Sequence, residues 1–131
     1  MPILTVKISG QNNPERTQQI VHVLMDLTAQ ILGKQADVTA IVLDYVAPSL
    51  WFVGGRSLQE LGKNSYYFDI KITDETNTKA EKAQYLAQVH QAFERLIGHL
   101  HEESYGYVQD VRASAYGFGG KTQEFRAHHP H

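Results

Sequence analysis

The residue with the most distinctive chemistry in this chain is the second one. The sequence opens MPILTVKIS, and methionine is normally trimmed before a residue as small as proline. Trimming would leave Pro2 as a free secondary amine at the head of a rigid element. Such an amine takes up a proton when neutral and gives one up when charged. A plainer reading stands beside it, since proline is tolerated as the first residue of a strand, where only a ladder donor is lost. Other reactive groups are scarce. The chain has no cysteine, which removes thiol nucleophiles, zinc thiolate sites and disulfides. His99 and His101 stand two apart and read as a solvated connection. The terminal HHPH, residues 128–131, reads as a tail able to pick up nickel or zinc adventitiously. Gly54, Gly55, Gly119 and Gly120 lack the spacing of a phosphate loop and read as turn residues.

Composition sets bounds on what surrounds that proline. A length of 131 residues fits a single domain, and 42% hydrophobic with 20% charged residues is ordinary for a globular chain. A net charge of -2 leaves no basic footprint for nucleic acid. No run approaches the ~18 apolar residues of a membrane span, and the start lacks the regions of a signal peptide. The expectation is a soluble, cytoplasmic protein without a cofactor or a metal.

The elements that must position Pro2 occur twice. Ile3, Thr5 and Lys7 alternate with Leu4, Val6 and Ile8, a strand with one strongly apolar face. Asn13 and Pro14 are a helix start. Ile20, Leu24, Leu27 and Ile31 recur at helical spacing up to Gly33, a helix end. DVTAIVLDYV is a second strand, broken by Pro48 and Ser49, and LWFVGG closes the unit as a hairpin-like segment. The second half repeats this order. DIKIT at 69–73 echoes TVKIS at 5–9, an offset of 64. Thr78 and Glu81 form a capping-box pattern, followed by a stripe of Leu86, Val89, Phe93 and Leu96. Gly98 lies 65 positions after Gly33, SYGYVQDV is the last strand, and AYGFGG lies 65 positions after LWFVGG. An internal duplication explains this, with one repeat over about residues 2–55 and the other over about 66–120.

Each half is β-α-β, so its two strands are parallel with a right-handed crossover. The expected fold is α/β: duplicated β-α-β units forming a four-stranded sheet with two helices on one face, in a single domain over 1–131. AIVLDYV is apolar on both sides, which calls for cover on the second sheet face. No sequence is left for a third layer. Another copy of the chain is expected to supply it, in a ring of sheets around an axis.

Pro2 at the strand head, the β-α-β spacing, WFVGG and the duplicated length together resemble the tautomerase superfamily, which includes 4-oxalocrotonate tautomerase and malonate semialdehyde decarboxylase. The length matches its fused, trimer-forming members, and the resemblance covers residues 2 to 126. It implies that the amine of Pro2 is catalytic. Burial among aromatic rings would lower the amine's pKa by disfavouring the cation, leaving a base for keto-enol conversion of a small carbonyl acid. The resemblance also implies pocket walls from Trp51, from Tyr116 and Phe118, and from Phe125 in QEF. The first three rings serve equally well as packing at a core or an interface.

Some expected residues are missing. Where the 4-oxalocrotonate enzymes carry arginines, this chain has Asn12 and, in the second strand, a position near Thr39. Where decarboxylase-like members carry two, it has Asp74, Glu75 and Thr76. Bidentate carboxylate recognition at those positions is therefore lost. The remaining cations are Arg112, Arg56, Lys7 and Lys71, of which Arg112 is favoured because it lies between the last strand and Tyr116. Asp37 falls near an aspartate of the decarboxylase-like members but reads as a turn residue. Two rival readings stay open. One is a decarboxylase or hydratase in which protonated Pro2 is the acid; the other is a non-catalytic, ferredoxin-like binding module. Tyr66 stands where the second half would carry its proline, so one proline site per chain is expected.

Overall fold

A computed structural model describes residues 1–129. β1 (Ile3–Ser9) leads into α1 (Pro14–Leu32) and then β2 (Ala40–Val46). A short hairpin of β3 (Phe52–Val53) and β4 (Arg56–Ser57) follows, closed by the one-turn helix α2 (Leu58–Leu61). The second half runs β5 (Tyr66–Thr73), α3 (Lys79–Leu96) and β6 (Tyr105–Val111). It ends in the hairpin of β7 (Gly117–Phe118) and β8 (Lys121–Thr122) and the short helix α4 (Gln123–His128).

The helix boundaries follow local chemistry. Asn13 caps α1 by accepting from the Arg16 amide at 3.1 Å, and Gly33 ends it at φ +68°. Thr78 and Glu81 exchange side-chain and backbone bonds of 3.1 and 2.8 Å, the reciprocal cap that starts α3. Both hairpins turn on Gly-Gly pairs with φ of +60° and +82° at Gly54 and Gly55, and +61° and +81° at Gly119 and Gly120. Two successive positive φ values suit the twist of a two-residue hairpin and exclude most other residues.

The strands form one sheet in the order β2-β1-β5-β6. β1 is parallel to β2, β5 is parallel to β6, and β1 is antiparallel to β5. The two halves therefore meet head to tail in the middle of the sheet. Leu4, Val6, Ile8, Phe68, Ile70 and Ile72 share one face, packed on Ile20, Leu24, Tyr85, Val89 and Phe93 of the two helices. Burial of the helix stripes is shifted from the apolar spacing. Thr28 and Tyr85 are fully buried, joined by a 2.8 Å bond between their hydroxyls, while Leu27, Ile31, Leu86 and Leu96 are only partly covered. A paired hydroxyl can enter a core at little cost, and no hydrophobic period reveals it.

The other sheet face is uncovered by this chain. It carries Ile3, Val42, Tyr105 and Tyr107, between 37% and 53% exposed, around a polar centre. There Lys71 holds Asp69 at 3.0 Å, and Tyr67 donates to the same carboxylate at 3.3 Å. β2 divides its residues as expected, with Ile41, Leu43 and Tyr45 toward the helices and Val42 toward the open side.

Candidate functional site

The topology decides what can meet Pro2. β2 runs parallel to β1, so the segment before β2 lies beside the start of β1; Ala40 accordingly donates to the Pro2 carbonyl at 3.1 Å. β5 runs antiparallel, so its end at Thr73 and whatever follows β6 arrive at the same place. Two adjoining cavities result. One, of about 200 Å³, is lined by Met1, Gln35, Val38, Thr73, Tyr116, Phe118 and Gln123. The other, of about 220 Å³, is bounded by Met1, Pro2 and Ile3 on one side and Val38, Ala40, Gly117 and Phe118 on the other. Pro2 itself is buried. Tyr116 is anchored by a hydroxyl contact to Thr73.

The electrostatics of this end favour a neutral amine. Burial pushes the terminal amine of Met1 below its ordinary value, and the Lys34 ammonium adds to the depression. Lys34 is itself lowered by burial, opposed by Glu81 and Asp110. Those two carboxylates are engaged elsewhere: Glu81 in the α3 cap and Asp110 with Lys82 at 2.5 Å. Lys34 donates to the Thr76 hydroxyl at 2.8 Å, which donates to the Thr73 carbonyl at 2.6 Å. Among the described residues Lys34 forms no ion pair, so a half-buried cation stands one hydroxyl away from the cavity wall. While Met1 remains attached, the Pro2 nitrogen is an amide without basicity.

The expected site residues part company here. Tyr116 and Phe118 line the cavities at Pro2. Trp51 does not reach them within the chain. It lies past the end of β2, in a cleft of about 470 Å³ with Phe52, Val53, Gly54, Glu103 and Tyr105. The reason is the antiparallel join. Matching residues of the two halves must sit at opposite ends of the sheet, and the seven-residue β2 spans roughly 20 Å. Phe125 is 42% exposed on α4, stacked on His129 at 4.1 Å, and lines neither cavity. Arg112 lies in a neighbouring groove of about 390 Å³ that shares only Thr73 with the proline end, and Asp74, Glu75 and Glu124 surround it there. Among the described residues Arg112 forms no ion pair with them.

The other cations are also occupied or distant. Arg56 pairs with Glu60 at 3.4 Å, while Lys7 and Lys71 lie on the open sheet face. Asp37 sits in an exposed 3-10 turn over Ala36–Val38. His101 accepts from the Glu103 amide at 3.0 Å in a connection. Pro130 and His131 of the HHPH stretch lie outside the described residues. Among the described residues, no three His, Asp or Glu side chains converge as metal ligands.

Three contributors escaped the sequence reading: Lys34, Gln123 and Arg126. A signal for Lys34 existed, because the residue following the Gly33 cap must land beside Pro2 once β2 is parallel to β1. Arg126 gave none. Its Cζ sits 4.0 Å from the centroid of the Phe118 ring, and its Nε and Nη2 donate to the Phe118 carbonyl at 3.1 and 2.9 Å.

No protein-family model matches the chain, and no curated protein matches it in sequence. Solved structures do. A fused 4-OT, solved as a wild-type asymmetric trimer, superimposes with a TM-score of 0.83 over 95% of this chain and 98% of its own, at 18% identity. The chain has the fold of the fused 4-OT proteins. A protein solved after inactivation by 2-oxo-3-pentynoate gives a TM-score of 0.81 at 14% identity, covering 94% of this chain and 97% of its own. A macrophage migration inhibitory factor-like protein of Entamoeba histolytica gives 0.75 at 17% identity, over 92% and 97%. In this fold the buried Pro2 at the head of β1 lies beside the cavities walled by Tyr116 and Phe118.

Proposed function

We propose that this chain is a tautomerase in which Pro2, exposed by removal of Met1, is the general base for keto-enol conversion of a small carbonyl acid. The observation that carries the reading is a buried Pro2 at the edge of cavities walled by Tyr116 and Phe118, next to a partly buried Met1 amine that burial and Lys34 hold below its ordinary value. The neutral nitrogen takes the proton of the enol hydroxyl as the carbonyl forms, and the resulting ammonium returns a proton to the neighbouring carbon. Lys34 binds the carboxylate. Arg112 has weaker support in that role because it lines a separate groove that shares only Thr73 with the Pro2 cavities. A neighbour inactivated by 2-oxo-3-pentynoate supports a 2-oxo acid as the substrate class.

The rival in which a protonated Pro2 works as an acid is disfavoured by the same environment, since burial and Lys34 both act against the cation. A homotrimer is the proposed assembly, from the open sheet face and from the trimeric fused 4-OT neighbour. No helix among the described residues is long and apolar enough to cross a membrane, and the proposed setting is the cytoplasm. The test is Pro2→Ala in protein whose mass confirms loss of Met1. Turnover of phenylenolpyruvate should disappear; retained turnover ends the proposal.

A further inference from the structure

We propose that Arg126 is a positioning residue for the Pro2 pocket, its guanidinium locking Phe118 in place beside the proline. The inference rests on the tautomerase reading for its functional meaning and on separate geometry for the lock. Phe118 lines both cavities at the N-terminus, yet it belongs to a hairpin with only two residues in each strand. A ladder that short has little stability of its own, and Phe118 is 42% exposed.

Arg126 supplies what the ladder lacks. The planar guanidinium stacks on the ring at 4.0 Å while two of its nitrogens donate to the carbonyl of the same residue. Side chain and backbone of Phe118 are thereby fixed by one group, a task suited to a rigid fork of donors and not to an ammonium. Gly119 makes room for it. A Cβ there would stand 2.7 Å from Arg126 Nη2, and the residue holds φ +61°.

The matching hairpin of the first half has no such lock. By the 65-residue offset, the counterparts of Arg126 and Phe118 are Leu61 and Val53, and a Cβ at Gly54 would meet nothing within 4 Å. Among the described residues, only the hairpin beside the proline carries such an arginine. That asymmetry within a duplicated scaffold is what a positioning role requires.

The test uses trimmed full-length protein with Arg126→Met, Arg126→Lys, Phe118→Ala and the double variant Phe118→Ala/Arg126→Met. Arg126→Met should lower kcat/KM for phenylenolpyruvate by about 10- to 100-fold, the scale on which misplaced pocket groups act. Arg126→Lys, keeping charge and one donor, should recover part of the loss. Once Phe118 is alanine, Arg126→Met should add less than about twofold, because a residue acting through another is silent in its absence. Independently of catalysis, hydrogen exchange at residues 117–122 should speed up in Arg126→Met. Wild-type activity in the methionine variant, multiplying losses in the double variant, or unchanged exchange would each overturn the proposal. If the proline reading alone is wrong, the parent protein shows no turnover, and the exchange result still decides the lock.

Discussion

Replacing Lys34 with methionine tests the electrostatic design of the proline end. The substitution keeps the length of the side chain and removes its charge. Folding should hardly respond, because the ammonium makes only the Thr76 bond and no ion pair among the described residues. Binding should respond strongly. A hydrogen bond to a charged group that becomes unavailable costs about 1.5–2 kcal/mol at a half-buried site, which is roughly a 10- to 30-fold loss in kcat/KM. That loss applies to a substrate carrying a carboxylate and should be absent for its neutral methyl ester. A second effect has a definite sign. Burial, with Lys34 adding to it, holds the terminal amine of Met1 below its ordinary value, and trimming passes the amine to Pro2 one residue deeper. Without the cation the amine's pKa rises, so a larger fraction is protonated at a given pH. A general base works only when unprotonated, and the acidic limb of the kcat/KM profile must therefore move to higher pH. The assay is kcat/KM for phenylenolpyruvate and its ester across pH, on protein of verified mass. Equal losses for acid and ester, or an acidic limb displaced to lower pH, would refute the reasoning.

Two further predictions concern the scaffold. Gly106 faces the helices, and a Cβ there would lie 2.4 Å from Phe68 Cε1 and 3.1 Å from Leu86 Cδ2. Gly106→Ala should destabilise the fold by about 1–3 kcal/mol through overpacking, read as a lower urea midpoint with an unchanged slope. Tyr66 and Tyr85 are both pushed up to about 12 by burial. The native state thus holds protons that the unfolded chain releases from pH 10, so their stabilising contribution is complete below that value and drains away up to about 12. Denaturation midpoints measured across this window should fall, and fall less steeply in Tyr85→Phe.

Much of this molecule is legible in its sequence because the decisive signals are local. Asn13-Pro14, the Thr78–Glu81 box and the two Gly-Gly turns each satisfy backbone groups within a few residues, so spacing alone reveals them. The offset of about 65 reveals the duplication for the same reason. What it does not reveal is proximity. Trp51 and Tyr116 match each other along the chain, yet an antiparallel join sends matching residues to opposite ends of the sheet. The position of Arg112 before Tyr116 likewise says nothing of Asp74, Glu75 and Glu124, which come from other segments to line the same groove. Phe125 lies on a helix too short to show a period, and its stack on His129 is a contact four residues away that turns it aside from the cavities.

The two ends of the sheet match along the sequence at an offset of 64 to 65 and differ in their buried polar groups. At the second end, Tyr66 occupies the proline position with its ring 3% exposed and its hydroxyl 2.7 Å from His90 Nδ1. Ser65, matching Met1, is fully buried; its amide donates to Ser9 Oγ at 2.9 Å, and its hydroxyl contacts that of Ser104 at 2.9 Å. The polar groups of Ser65 and Tyr66 are thus bonded, Ser65 across to the first half and Tyr66 within its own, while the cleft of Trp51 and Tyr105 stays open nearby. An internal residue has no terminal amine to offer, so an open cavity at that position would expose a seam without gaining a base. At the first end the chain terminus leaves the seam unsealed. The proline position stays beside open cavities walled by Tyr116 and Phe118, with Lys34, which forms no ion pair among the described residues, close by. The hydrogen bonds of Ser65 and Tyr66 thus separate the two matching strand starts: one is internal and bonded, the other lies beside open cavities.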